Sequence, residues 1–162
     1  MTLPSRRAAI GQGLVLVGLP WAALFRAAPA AAQAAGGAAR MSESDLEAAI
    51  RALVGAAPIV DGGVALRLPA VAENGGQVPL AVTADSPMTA ADHVTALHLL
   101  ATANPTPGIA SFRLTPALAR AEIHTRIRLA ADQAVIALAV HSTGAVRRAV
   151  AQARVVQGGC LS

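Results

Sequence analysis

The chain has no lysine and no tyrosine, and it holds few aromatic or sulfur-containing side chains. Its 162 residues include one Trp, two Phe and one Cys, and arginine supplies all 13 basic residues. So few rings argue against binding of single-stranded nucleic acid, which depends on aromatic side chains that stack on bases. They also argue against a haem or flavin pocket walled by rings. A single cysteine excludes an internal disulfide framework and a cysteine-based metal cluster.

The first forty residues have the pattern of an export signal. Arg6 and Arg7 precede a mildly apolar segment, 10–24, which glycine and proline interrupt. Paired arginines before a weakly hydrophobic segment are typical of the twin-arginine route, and the segment is shorter than the roughly 20 residues that a spanning helix needs. We predict a signal peptide over 1–34, a linker over 35–41 and a periplasmic mature protein. An uncleaved membrane anchor is the alternative.

Removal of the signal changes the charge balance. The formal charge falls from +4 to +1, because three arginines lie within the first 34 residues. Residues 35–112 carry three arginines against seven acids, whereas residues 113–162 carry seven arginines against two acids. The basic excess therefore lies in the half that ends in the cysteine. It is weak evidence for nucleic-acid binding, and it favours anionic ligands and acidic partners.

The hydrophobic pattern predicts one helix followed by short strands. Ser44 and Glu47 form a capping box, and Gly55 ends a helix predicted over 44–54. Pro79 suggests that its strand lies at a sheet edge. The predicted strands are 64–68, 78–84, 93–102, 109–115, 122–129, 133–141 and 145–156. About seven strands with turns every 8–12 residues predict an all-β fold, an immunoglobulin-like β-sandwich over 60–156 with one N-terminal helix.

The chain shows no recognisable catalytic or metal-binding motif. His93 and His98 are five residues apart, which places them on opposite faces of a strand. His124 and His141 have no suitably spaced partner, so we predict no metal site. A nucleophile elbow, a phosphate-binding loop and a carboxylate pair are all absent from the sequence. We therefore predict no catalytic residue, no cofactor and no enzymatic activity.

Two features of the last strand and tail carry the functional hypotheses. Arg147, Arg148 and Arg154 could attract anions, although a solvated sheet face explains them equally well. After the strand come Gly158, Gly159 and Cys160, three residues from the chain end. Two glycines give the backbone great freedom, and a cysteine so near the end is not a core residue. We predict a flexible arm, 157–162, that presents a thiol; an incidental cysteine or an intermolecular disulfide is the alternative.

An exported sandwich that ends in Gly-Gly-Cys resembles the SoxY family, the sulfur carriers of the bacterial thiosulfate-oxidising Sox system. Together with the twin-arginine start, the resemblance covers most of the chain. It runs through residues 68–75, 78–80, 85–88, 101–105, 125–130 and 135–139. The family tail is Gly-Gly-Cys-Gly-Gly, whereas Leu161 and Ser162 follow the cysteine here. Because of this departure, a divergent carrier that serves a different sulfur pathway is kept as an alternative.

The resemblance implies a non-catalytic carrier with an immunoglobulin-like fold, paired with a SoxZ-like subunit in a heterodimer or heterotetramer. Cys160 would be conjugated oxidatively to thiosulfate by a c-type cytochrome. A dimanganese thiosulfohydrolase would release sulfate, and a sulfur dehydrogenase would oxidise the remaining sulfur. Neither nucleic acid nor membrane is an expected partner. The alternative function is a periplasmic interaction domain whose cysteine only forms an intermolecular disulfide.

Overall fold

The computed structural model describes residues 42–158 as one helix, a short 3-10 helix and nine strands. The predicted signal peptide and linker, together with residues 159–162 of the predicted arm, lie outside the described residues. The helices are α1 (Glu43–Val54) and the 3-10 helix Gly75–Gln77. The strands are β1 (Ile59–Asp61), β2 (Val64–Arg67), β3 (Val71–Asn74), β4 (Val78–Ala84), β5 (Val94–Ala101), β6 (Gly108–Arg113), β7 (Ala121–Ile127), β8 (Gln133–His141) and β9 (Val146–Gln157).

The strands form two sheets. The larger has six strands in the order β1-β9-β8-β5-β6, with β3 also pairing with β9, and the smaller has the order β2-β4-β7. The long neighbours β5, β8 and β9 are antiparallel, whereas the short strands β1 and β3 both run parallel to β9. Two packed sheets of mainly antiparallel strands confirm the predicted immunoglobulin-like sandwich.

Two apolar layers hold the sandwich together. The main core lies between the sheets, where alternate residues of each strand point inward; Val82, Leu97 and Val135 are fully buried there. The second layer lies on the outer face of the large sheet. There Leu138 and Val146 pack against the apolar side of α1, including Ile50. Because valine, leucine and alanine fill both layers, the fold needs few aromatic side chains.

Helix α1 begins two residues earlier than the predicted capping box implies. Its N-cap is Ser42, whose hydroxyl accepts a hydrogen bond from the Asp45 amide at 3.2 Å, so the assignment of that role to Ser44 was wrong. The helix ends at Gly55 as predicted, with a positive φ of 67° that glycine tolerates. Among residues 42–158, neither helix has the length and apolar character needed to cross a membrane.

The structure adds two strands to the predicted seven. Strands β1 and β3 span only three and four residues, and both pair with the distant β9. The edge position predicted from Pro79 was wrong, because β4 lies in the middle of the small sheet. Proline is tolerated there because β2 pairs with β4 only from Ala81 onward, so that Pro79 has β7 alone as its neighbour.

Candidate functional site

Strand β9 leads directly into the predicted arm, and its two ends are held differently. Its first eight residues pair with β8, up to the Gln133–Ala153 pair, and β1 lies along the other edge. Residues 154–157 continue past the end of that pairing and have only β3 beside them, down to the Asn74–Gln157 pair. The strand therefore reaches the root of the arm with a neighbouring strand on one side only.

On the side of β9 that has no neighbouring strand here, a carboxylate accepts the backbone hydrogen bond. The Val155 amide, which points away from β3, donates a 2.6 Å hydrogen bond to Asp132 Oδ1. Asp132 lies in the loop between β7 and β8, immediately before β8 begins at Gln133. A hydrogen bond to an ionised carboxylate is about twice as strong as one between neutral groups. Asp132 thus extends the pairing of β9 beyond the end of β8.

Gly158 lies against the same loop. A Cβ atom built on Gly158 would approach the Ala130 carbonyl oxygen more closely than the 3.0 Å that real Cβ atoms keep. The obstacle is backbone, which cannot swing aside as a flexible side chain can. Close approach of two backbones therefore calls for glycine at this position. Gly159 and Cys160, the other residues assigned to the arm, lie outside the described residues.

A buried polar network fixes the loop that contacts Gly158. Asn104 is 6% exposed; its Nδ2 donates to the Arg128 carbonyl at 2.9 Å, and its Oδ1 accepts from the Ala130 amide at 3.0 Å. Gln133, 5% exposed, donates to Asn104 Oδ1 at 2.9 Å and accepts from the Ala103 amide. Buried polar groups that are mutually satisfied in this way rigidify their surroundings. The loop on which the arm begins is consequently well fixed.

The three arginines predicted to attract anions do not come together. Alternation along β9 places Arg147 on the face opposite to Arg148 and Arg154, and these two are about 20 Å apart along the strand. Arg148 binds Asp61 through two hydrogen bonds of 2.7 and 3.1 Å, and this contact holds the pKa of the Asp61 carboxyl below its usual value. Arg147 lies across Gly63. Only Arg154 is near the arm.

Pairing of Arg148 with Asp61 offsets the charge of that guanidinium and uses two of its five N–H donors. Its role is to join β9 to β1, because the two residues are directly opposite in the parallel register. Arg154 is exposed and occupies the same face as Val156, which is 71% exposed. Of the three predicted positions, Arg154 is therefore the one whose place suits contact with a partner at the arm.

The histidines occupy separate places. His98 Nδ1 lies 2.7 Å from the Ser111 hydroxyl, and burial, together with the nearby Arg113, lowers the pKa of His98. His141 is largely buried and lies 3.6 Å from Asp92. No cluster of three or more histidine, cysteine or acidic side chains in metal-binding geometry occurs within residues 42–158.

A groove of about 470 Å³ lies beside Asn104. Its walls come from the loop after β5, the start of β6 and the end of β7. Arg126, in β7, and Arg128, just after it, line the groove together with Asn104. Sequence reasoning did not identify Asn104, Ala130 or Asp132 as residues near the arm. Asn104 carried only the signal of an Asn-Pro loop, and the partners of the three residues lie 23 to 29 residues away along the chain.

Comparison with solved structures first identifies the fold class of the chain. A superoxide reductase (neelaredoxin) from Ignicoccus hospitalis matches with a TM-score of 0.52 at 14% identity, covering 58% of this chain and 80% of that one. At so low an identity, the match shows a shared sandwich fold alone. No curated protein sequence matches the chain.

The family follows from two closer matches. The model of the sulfur oxidation protein SoxY matches residues 50–160. The sulfur carrier protein SoxY from Chlorobium limicola f thiosulfatophilum is 30% identical, with a TM-score of 0.60, covering 70% of this chain and 98% of that chain. The chain belongs to the SoxY family of sulfur carriers, as the resemblance of its sequence predicts.

Proposed function

We propose that this protein is a periplasmic carrier that holds thiosulfate-derived intermediates covalently on Cys160 and presents them to enzymes of a Sox system. The observation that carries the proposal is the family match, which extends as far as residue 160. Further support comes from β9, which delivers the chain to Gly158 at one end of the sandwich. From there an extended chain covers about 7 Å to Cys160. The protein itself supplies attachment and no catalytic group.

The proposed loading step is an oxidation. The Cys160 thiol and thiosulfate combine to form a Cys–S–S–SO₃⁻ adduct with loss of one proton and two electrons, and a c-type cytochrome accepts the electrons. Water then attacks the terminal sulfonate, so that sulfate and two protons leave and a Cys–S–S⁻ persulfide remains. A dimanganese thiosulfohydrolase performs that hydrolysis, and a sulfur dehydrogenase oxidises the persulfide sulfur. The carrier contributes its thiolate, which is the nucleophilic form of cysteine.

Partners are proposed by family resemblance. A SoxZ-like subunit forms a heterodimer or heterotetramer with the chain, and the three enzymes bind transiently. A single covalent attachment site on a narrow arm allows successive enzymes to act on the intermediate without its release. A carrier that has no catalytic groups is useful for this reason. The signal peptide proposed for residues 1–34, with Arg6 and Arg7, would take the protein to the periplasm.

The tail gives a reason to consider a second sulfur pathway. Leu161 and Ser162 follow Cys160, where the family pattern has two glycines. A leucine side chain beside the thiol adds bulk in any channel shaped for a bare backbone. A divergent carrier that serves a smaller set of partners is therefore the second candidate.

The test is a mass measurement on the C-terminal peptide. Protein isolated from cells grown on thiosulfate, or incubated with thiosulfate and an oxidant, should carry S₂O₃, SO₃ or sulfur adducts on Cys160. Oxidant without thiosulfate is the control, and a Cys160→Ser variant should lose every adduct while it keeps its fold. If only disulfide dimers or unmodified thiols appear under all conditions, the chain is an interaction domain and the carrier proposal is wrong.

A further inference from the structure

The root of the arm is in contact with the sandwich before the chain reaches the cysteine. Gly158 approaches the Ala130 carbonyl too closely for any side chain to fit between them. The φ angle of Gly158 is not positive, so its backbone conformation is open to other residues as well. The need for glycine at this position is therefore steric, and it arises from the contact. A glycine that served only as a joint would be surrounded by open space.

The surface that Gly158 contacts is held from beneath. The Ala130 amide donates to buried Asn104, which also binds the Arg128 carbonyl, so both sides of the contact loop are fixed by one side chain. Leu129, between them, donates its amide to the Gly75 carbonyl at 2.8 Å. Asp132, two residues after Ala130, binds the Val155 amide of β9. The loop therefore binds the arm root at Val155 and lies directly against it at Gly158.

We propose that Gly158 is a fixed seat for the arm, which means that this residue stays in contact with Ala130 while the chain beyond it moves. Ala130 and Asn104 then act as positioning residues for Cys160. The inference rests on the proposed function for its biological meaning. Its physical content, a fixed root, does not depend on sulfur chemistry. The arm then pivots beyond Gly158, and two residues of extended chain allow the thiol to reach at most about 10 Å from Gly158, side chain included. An enzyme that loads Cys160 must bring its active site to this end of the sandwich.

Alanine substitutions at the two glycines distinguish a seat from a joint. A fluorophore attached to Cys160, the single cysteine, reports motion of the arm through the decay of its polarisation anisotropy. If Gly158 is a seat, Gly158→Ala forces the root away from Ala130, and the amplitude of label motion rises. Gly159→Ala, the matched control, removes backbone freedom and leaves the seat intact, so the amplitude stays the same or falls. If both variants lower the amplitude, Gly158 is a joint and the proposal is wrong.

Hydrogen exchange provides a second measurement. Displacement of Gly158 should weaken the adjacent bond to Asp132, so that the Val155 amide exchanges about tenfold faster in Gly158→Ala. The same amide should exchange at the wild-type rate in Gly159→Ala. Equal protection of Val155 in Gly158→Ala and wild type would overturn the proposed seat.

The role of Asn104 requires a control for general stability. Asn104→Ala should raise the amplitude of label motion even though the arm itself is unchanged. Val82→Ala, in the core between the sheets, lowers stability without contact with the loop and should leave label motion unaltered. Reaction of Cys160 with a small disulfide reagent should stay within about twofold of wild type in Asn104→Ala and Val82→Ala, because neither substitution adds or removes a charged group that would change the reactivity of the thiol. If Val82→Ala mobilises the label as much as Asn104→Ala does, Asn104 has no positioning role.

These readouts separate the two proposals. Absence of sulfur adducts on Cys160 would refute the carrier function and leave the label motion and the exchange rates as evidence for the seat. Conversely, adducts that form normally while both glycine variants behave alike would support the carrier and refute the seat.

Discussion

The two ends of β9 are built from the same strand and held by different means. At its beginning, β9 has a strand on each side, a helix above Val146 and a bidentate ion pair between Arg148 and Asp61. At its end it has one neighbouring strand, one carboxylate contact from Asp132 and one backbone contact at Gly158. The first end has neighbours on both sides and a layer of buried apolar surface, whereas the second has fewer neighbours and depends more on individual contacts.

The difference in how the two ends of β9 are held suits the proposed function of the protein. Under the proposed function, the sandwich stays intact while Cys160 moves between partners. Apolar burial over a wide area gives the stability, and it would also bury the arm if it continued to residue 158. A few polar contacts fix the direction of the chain at its exit without covering it. Substitutions at the two ends should therefore differ in both size and kind.

The largest effect is expected at the buried network under the arm. Asn104→Ala leaves the Arg128 carbonyl, the Ala130 amide and part of the Gln133 side chain without partners, which should lower the free energy of unfolding by about 3 kcal/mol. Denaturant unfolding measures the loss. Ser86→Ala, which removes a part-buried hydroxyl bonded to the Met88 amide, is the control and should cost less. An Asn104 variant as stable as wild type would contradict a role for this network.

The next effect compares the ends directly with one substitution. Val146 and Val156 lie on the same face of β9, but they are 1% and 71% exposed. Val146→Ala removes two buried methyl groups and should cost about 2 kcal/mol of unfolding free energy. Val156→Ala should change it by less than about 0.5 kcal/mol. Similar losses from the two variants in chemical denaturation would mean that the ends are not held differently.

A smaller effect is expected from the carboxylate that caps the end of β9. Asp132→Ala removes the acceptor of the Val155 amide and should cost about 1 kcal/mol, since water can replace part of the bond at this exposed site. Asp132→Asn keeps an acceptor oxygen and should recover about half of the loss. Hydrogen exchange at Val155 locates the change. If exchange rises equally across all of β9, Asp132 acts on the whole fold rather than on this end.

Much of the fold could be predicted because its signals are local. The alternation of polar and apolar residues predicts the buried face of β7, and the run of apolar residues predicts β8 with the bounds that the structure has. Two serines, Ser42 and Ser44, each precede an acid by three residues, so local pattern could not decide which one caps the helix. Strands β1 and β3 are too short to show a period, and their pairing depends on a distant partner.

The sequence predicts the chemistry of the candidate site, and it gives no sign of the residues that support the root of the arm. Position and composition of the tail suffice to select Cys160 and its two glycines, because a thiol after paired glycines is distinctive. The contact of Gly158 with Ala130 joins residues 28 positions apart, and no local pattern encodes it. The pairing of Arg148 with Asp61 spans 87 positions, so sequence reasoning could not separate a structural arginine from Arg154.

The smallest effect is a pH dependence at the beginning of β9. Because Arg148 lowers the pKa of Asp61 in the folded protein, the unfolded chain takes up a proton first as pH falls. The contribution of Asp61 is therefore fully present above its usual pKa of about 4 and is lost as pH falls through the lower folded value. Asp61→Asn should be slightly less stable than wild type at neutral pH and equal to it in acid. Added salt should shrink the neutral difference, because the pair is exposed. A gap between the two proteins that persists unchanged into acid would assign the effect to packing of Asp61 rather than to its charge.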